Sequence, residues 1–325
     1  MALLEVRNLE VRFPQRSGEL VALRDVSFSV DRGMRMGIVG ESGAGKSVAA
    51  FSILNLVSRP GYIAHGQILF DGEDIVQMSP AQLQRIRGNR ITMIFQDPMM
   101  TLNPVLTIGT QMIECLQAHG KVNDREARRI AVEKLRQVKI PSPEARIDQY
   151  PHELSGGMRQ RVVIAIALLT DPDLIIADEP TTALDVTIQA EIMALLLELC
   201  KQEGVALILI THDLGVVSQV TEDTIVMYAG RIIEEAPTRE LIDHPRHPYT
   251  EGLINALPER ARQGQRLNQI AGSMPSLHVI PDGCAFHPRC EHTHERCRHE
   301  IPGFTGTTHR RVACHWRADQ EGQEA

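Results

Sequence analysis

The stretch GESGAGKS, Gly40 to Ser47, decides the fold. Its spacing is G-x-x-x-x-G-K-[ST], and its flanks are those the pattern requires. The apolar run MRMGIV leads into it, and SVAAFSILNLV, with helical apolar spacing, follows. A strand that turns through glycines into a helix aims backbone N–H groups and the positive end of the helix dipole at one point. Gly40, Glu41, Ser42, Gly43, Ala44 and Gly45 would then wrap phosphate oxygens. Lys46 would reach the outer phosphates, and the Ser47 hydroxyl would ligate Mg²⁺.

Outward from this loop the pattern is strand, helix, strand. Upstream, LLEVRNLEVRF and ALRDVSFSV have roughly alternating apolar positions and read as strands. The segment from about Ser79 to Arg146 is mostly helical and charged. PHELSGGMRQRVVIAIALL opens at a Ser/Gly cluster and becomes an apolar helix. LIIAD and ALILITHD are buried strands, and between them Ile188, Ile192, Leu195, Leu196 and Leu199 share one helix face. DTIVMYAGRIIEEA resembles a closing hairpin. The sum is an α/β core with a mainly parallel sheet. In LIIADE the strand ends at Asp178, placed to hold Mg²⁺ directly or through water. Glu179 follows, placed to orient or deprotonate an attacking water.

The chain has 325 residues, with 34 Lys+Arg against 41 Asp+Glu, a formal charge of −7. That balance argues against broad nucleic-acid binding. MALLEVRNLEVRF is charged early and lacks the continuous apolar core of a signal peptide. No run of about 18 uncharged apolar residues occurs, so the sequence predicts a soluble, intracellular protein that does not span a membrane.

With these motifs in place the chain resembles the ATP-binding cassette (ABC) family. LSGGM, comprising Leu154, Ser155, Gly156, Gly157 and Met158, resembles the family signature and precedes LIIADE in the family's order. The resemblance implies that this surface grips ATP held by an opposite subunit, so that two chains sandwich two nucleotides. Gln96 in ITMIFQDP matches the Q-loop glutamine. His212 in ILITHD matches the switch histidine at the γ-phosphate. TTALD, Thr181 to Asp185, with Ala183, Leu184 and Asp185 at its end, matches the D-loop that crosses the dimer interface. Phe13 matches the aromatic that stacks on adenine. The resemblance covers roughly residues 3–240. It implies a P-loop ABC ATPase domain over 1–240, with an antiparallel β subdomain and a helical subdomain at about 79–165. A C-terminal extension follows over 241–325. Lys46, Glu179 and His212 would be the catalytic set.

Two long segments narrow the branch. FQDPMMTLNPVLTIGTQMIE, Phe95 to Glu114, and HPRHPYTEGLINALP, His244 to Pro258, resemble the ATP-binding subunits of dipeptide/oligopeptide and nickel importers. The resemblance implies two membrane permeases, a second and different ATPase chain, and an extracytoplasmic peptide-binding protein. The chain would sit at the cytoplasmic face of the cell inner membrane, with residues around Gln96 to Pro104 receiving the permease. Nickel or another small solute is the alternative cargo. A soluble ABC ATPase outside transport is the alternative role, disfavoured because the domain carries no inserted coiled coil and no second cassette.

The tail holds CAFHPRCEHTHERC and a further cysteine downstream, giving Cys284, Cys290, Cys297 and Cys314 in the spacing C-x5-C-x6-C-x16-C. In a reducing compartment disulfides are disfavoured. Four thiolates suit zinc or a [4Fe-4S] cluster, and the paired C-x2-4-C knuckles usual for zinc are absent. Thiols without metal remain a third reading. The importer resemblance, carried here by GCAFHPRC and RVACHW, implies [4Fe-4S], with the cluster stapling a loop-rich tail. Cys115 and Cys200 lie in helical segments and read as ordinary packed cysteines.

Overall fold

A computed structural model describes residues 2–16, 18–120, 122–182, 184–257 and 269–321. In chain order the elements are β1 Ala2–Gln15, β2 Gly18–Asp31, β3 Arg35–Val39, α1 Lys46–Ile53, β4 Tyr62–Phe70 and β5 Glu73–Asp74. Next come α2 Pro80–Ile86, β6 Ile91–Ile94, α3 Pro98–Thr101, α4 Ile108–His119, α5 Asp124–Gln137, α6 Pro143–Arg146 and α7 Gly156–Ala167. Then follow β7 Leu174–Asp178, α8 Val186–Glu203, β8 Ala206–Thr211, α9 Leu214–Val220, β9 Asp223–Tyr228 and β10 Arg231–Pro237. The tail adds α10 Thr238–Asp243, α11 Pro248–Asn255, α12 Glu295–His299, β11 Thr305–Thr307, β12 Arg310–Val312 and α13 His315–Glu321.

The chain forms two compact units. The first comprises Met1–Val30, Arg35–Val76 and Ile210–Ala325. One of its sheets is antiparallel, in the order β2-β1-β4-β5. In β1 the inward residues change phase, from Leu4 and Val6 to Leu9 and Val11, all buried. A strict two-residue period would turn one of these pairs to solvent. The register shift between Arg7 and Glu10, with Asn8 at φ 47°, absorbs the extra residue and keeps both pairs inside. The second set of strands runs β11-β12-β10-β9-β3. Here β3 lies parallel to β9, Met36 opposite Asp223, and β9 and β10 form the antiparallel hairpin read from the sequence. Within this unit β12 of the tail pairs with β10, Glu234 opposite Val312.

The second unit comprises Asp31–Met34 and Gln77–Leu209. Strands β6 and β7 pair in parallel, Ile91 opposite Leu174. Helix α5 packs against α4 and α7, burying Ala127, Ala131 and Leu135 of α5, Met112 of α4, and Val162 and Val163 of α7. Side chains cap the helix starts: Ser79 and Gln82 form a capping box at α2, and Asn123 accepts from the Glu126 N–H at α5. In α8, Ile192, Leu195, Leu196 and Leu199 are buried and Ile188 is half-buried, as their shared face predicts. Strands β4 and β6 and the β11–β12 hairpin have no counterpart in the sequence reading. Among the described residues no helix is long and apolar enough to cross a membrane.

Candidate nucleotide-binding and cysteine sites

In the first unit the Gly-rich loop joins β3 to α1. Gly45 is the N-cap of α1 at φ 104°, and a Cβ there would lie 2.8 Å from Leu23 Cδ2. Gly40 passes so close to β9 that a Cβ would lie 2.4 Å from the Met227 carbonyl oxygen. Both positions demand glycine. Ala44 is buried and its carbonyl accepts from the Gly230 N–H at 2.9 Å, while Ser42 and Gly43 are exposed. Lys46 is buried and its ammonium donates to the carbonyls of Gly40 at 2.8 Å and Glu41 at 3.1 Å. It is therefore held over the loop rather than in solvent. Ser47 opens α1 beside it.

His212 follows β8 and is exposed, while the next residue, Asp213, caps α9 by accepting from the Gly215 N–H at 2.8 Å. Phe13 sits near the end of β1, half-buried, with its ring against Gly61. A Cβ at Gly61 would meet the ring at 2.4 Å.

In the second unit Asp178 ends β7 and is buried. Glu179 follows with φ 46°, a left-handed conformation that costs a non-glycine residue about 1–2 kcal/mol. Its carboxylate accepts from Gln96 Nε2 at 3.1 Å and Thr182 Oγ1 at 3.0 Å. Two of the sequence-predicted residues, Gln96 and Glu179, are thus brought into direct contact. Ser155 caps α7, its hydroxyl accepting from the Met158 N–H at 3.3 Å. Leu154 is buried beneath the turn while Ser155 is exposed. The first turn of a twelve-residue helix, carrying Gly156 and Gly157, follows that hydroxyl. This arrangement suits an anion approaching from outside. Leu184 and Asp185 lead into α8, and Gln189 Nε2 donates to the Thr181 and Leu184 carbonyls at 3.1 and 3.0 Å. Ala183 lies outside the described residues. Near Gln96, Phe95, Met99 and Val105 are exposed apolar side chains.

The four tail cysteines belong to the first unit and line one small pocket with Phe286, His287, His292, Thr293, His315 and Trp316. None is in a disulfide. The Cys284 N–H donates to the Cys297 carbonyl at 2.8 Å, closing the loop between them. Burial pushes the Cys284 thiol up to about 12, and the neighbouring Cys297, Cys314 and Cys290 act in the same direction. Burial also raises Cys290 and Cys314. Among the described residues no three of His, Cys, Asp and Glu converge closely enough to hold a metal ion. Cys115 is half-buried and Cys200 buried, as read.

Two residues that the sequence did not mark touch the Gly-rich loop. Tyr249 Oη accepts from the Glu41 N–H at 2.8 Å. Arg289 donates from Nη1 and Nη2 to the two Glu41 carboxylate oxygens at 2.7 and 2.9 Å. The segments bearing them are anchored by β10. Buried Glu234 accepts from the N–H groups of Arg246 at 2.8 Å and His247 at 2.9 Å. Tyr228, Tyr249 and Phe286 form an edge-on ring cluster with centroids 4.7 to 5.4 Å apart. Tyr249 and Arg289 fall in the quoted segments HPRHPYTEGLINALP and GCAFHPRC, but only the folded backbone brings them to Glu41.

The ABC transporter family model matches residues 23–182, and that of the oligopeptide/dipeptide transporter C-terminal region matches 233–297. The probable peptide ABC transporter ATP-binding protein y4tR of Sinorhizobium fredii is 48% identical over 320 residues, 98% of this chain and 96% of its own. The dipeptide transport ATP-binding protein DppD of Escherichia coli K12 is 45% identical over 324 residues, 99% of each chain. Among solved structures, the dimeric ATP-binding cassette MJ0796, in a post-hydrolysis state bound to ADP and Pi, is similar with a TM-score of 0.65 and 29% identity. That match covers 73% of this chain and 99% of MJ0796. The chain belongs to the ABC transporter family, as an ATP-binding protein carrying the oligopeptide/dipeptide transporter C-terminal region.

Proposed function

We propose that the chain hydrolyses ATP to drive import of dipeptides or oligopeptides through a membrane ABC transporter. The observation that carries this reading is the joint presence of an intact Gly-rich loop and a peptide-transporter C-terminal region in one chain. Lys46 and the N–H groups of Gly40–Ser47 would bind the phosphates, and Ser47 and Asp178 would hold Mg²⁺, whose charge would offset that developing on the phosphoryl oxygens. Phe13 stacks on adenine. Glu179, oriented by Gln96 and Thr182, takes the proton of a water aligned with the γ-phosphate, and His212 donates toward that phosphate. The exposed turn at Ser155–Met158 serves the nucleotide of a partner cassette, and Leu184 and Asp185 with Ala183 face that partner.

The exposed apolar side chains Phe95, Met99 and Val105 would receive a membrane permease, and the chain would then sit peripherally at the inner membrane's cytoplasmic face. A second, different ATPase chain, two permeases and an extracytoplasmic binding protein complete the assembly. Cys284, Cys290, Cys297 and Cys314 are the residues that would hold a [4Fe-4S] cluster in the 241–325 extension. Bound there, iron would supply the positive charge that lets four thiolates share the pocket that these cysteines line. The central test is Glu179→Gln in the assembled transporter. ATP binding persists and turnover falls by about a hundredfold or more; undiminished hydrolysis would remove Glu179 from its role.

A further inference from the structure

We propose that Arg289 and Tyr249 are positioning residues for the nucleotide-binding loop, and that Arg289 acts by neutralising Glu41. The inference rests on the reading of Gly40–Ser47 as an ATP loop. Glu41 is the second residue of that loop, so its charge is carried on a segment whose N–H groups are read as cradling an anion. Unpaired, that carboxylate would repel a triphosphate a few ångströms away. Arg289 meets it with two parallel hydrogen bonds, at 2.7 and 2.9 Å, the planar fork that only arginine supplies.

The guanidinium is fixed from every side. Its Nε donates to the Ala271 carbonyl at 2.9 Å, and Nη1 also reaches Tyr228 Oη at 3.4 Å. It lies 5.9 and 5.8 Å from the ring centroids of Tyr228 and Phe286. Only 5% of its side chain is exposed. The Glu41 carboxylate holds this guanidinium's pKa above its ordinary value. Tyr249 does the complementary work on the main chain. By accepting the Glu41 N–H at 2.8 Å it fixes the first turn of the loop. Its own N–H donates to His247 Nδ1 at 3.0 Å, which seats the start of α11.

The test measures the dissociation constant of a fluorescent ATP analogue, with Mg²⁺, on the full-length chain. Arg289→Ala weakens binding about tenfold at low salt. Adding Glu41→Gln to that variant restores affinity to within about threefold of wild type, because the uncompensated charge is gone. Raising salt to about 0.5 M shrinks the single-variant defect. Tyr249→Phe weakens binding several-fold, and Glu41→Gln does not repair it. Should Arg289→Ala fail to fold, Arg289→Gln, which keeps the stem against Tyr228 and Phe286, carries the same expectations. Wild-type affinity in the arginine variants, or a double variant as weak as the single one, overturns the proposal. A Lys46→Ala chain that bound the analogue as well as wild type would instead remove the nucleotide reading itself.

Discussion

Glu234 offers a sharp quantitative test of how the tail is held. The residue is 1% exposed, and its carboxylate accepts two backbone N–H groups, from Arg246 and His247, just before α11. Glu234→Ala removes both acceptors at once. A buried N–H left without a partner costs about 1–3 kcal/mol, so the pair costs about 4 kcal/mol. Burial holds the Glu234 carboxyl above its usual range, so relief of that desolvation returns a part, leaving about 3 kcal/mol. Glu234→Gln keeps the volume and one acceptor oxygen. It leaves one N–H facing an amide donor and also removes the buried charge, for a net of about 1 kcal/mol. At roughly 2–4 °C per kcal/mol for a unit of this size, the alanine variant melts about 6–12 °C below wild type and the glutamine variant about 2–4 °C below. The assay is thermal unfolding followed by circular dichroism, with limited proteolysis as a local readout, since cleavage in the alanine variant begins around residues 244–257. An alanine variant melting within 2 °C of wild type, or a glutamine variant as damaged as the alanine one, would refute the reasoning.

The same carboxyl gives a pH signature. With its folded pKa raised above the unfolded value near 4.5, its contribution is fully present below that value and declines as pH rises through the folded one. Wild type therefore loses stability relative to Glu234→Gln as pH climbs above about 4.5, which paired urea titrations across pH will read. Gly61→Ala forces a methyl into the Phe13 ring, 2.4 Å from its edge. The displaced ring weakens ATP binding by roughly 2- to 10-fold, measured by calorimetry, with little change in melting. Cys290→Ser lowers iron content in anaerobic preparations and destabilises the tail; iron equal to wild type would remove Cys290 from the ligand set.

Much of this was legible in order of appearance. GESGAGKS between MRMGIV and a helix, LIIADE, and the apolar face of α8 all state local rules strongly enough to survive folding. DTIVMYAGRIIEEA showed its hairpin because Ala229 and Gly230 interrupt two apolar runs. YIAHGQILF did not read as a strand, because β4 buries only Ile68 and Phe70 and leaves Tyr62 exposed. The β11–β12 hairpin is three residues on each strand, too short for any period to register. Glu41 and Arg289 lie 248 residues apart, and no spacing rule reaches that far. The same holds for Glu234, which beside Glu235 in an otherwise apolar strand predicts solvent and is instead an anchor.

That short hairpin has a meaning for how the protein avoids its own kind. Without β12, the outer margin of β10 would present a row of unsatisfied N–H and C=O groups, a ready template for another chain to add a strand. The hairpin caps that margin and ends it in the sequence TGT, three small residues with little to offer a stranger. A chain cut after Pro237 would lose more than the four tail cysteines. It would gain a sticky rim, and its first symptom would be self-association rather than silence.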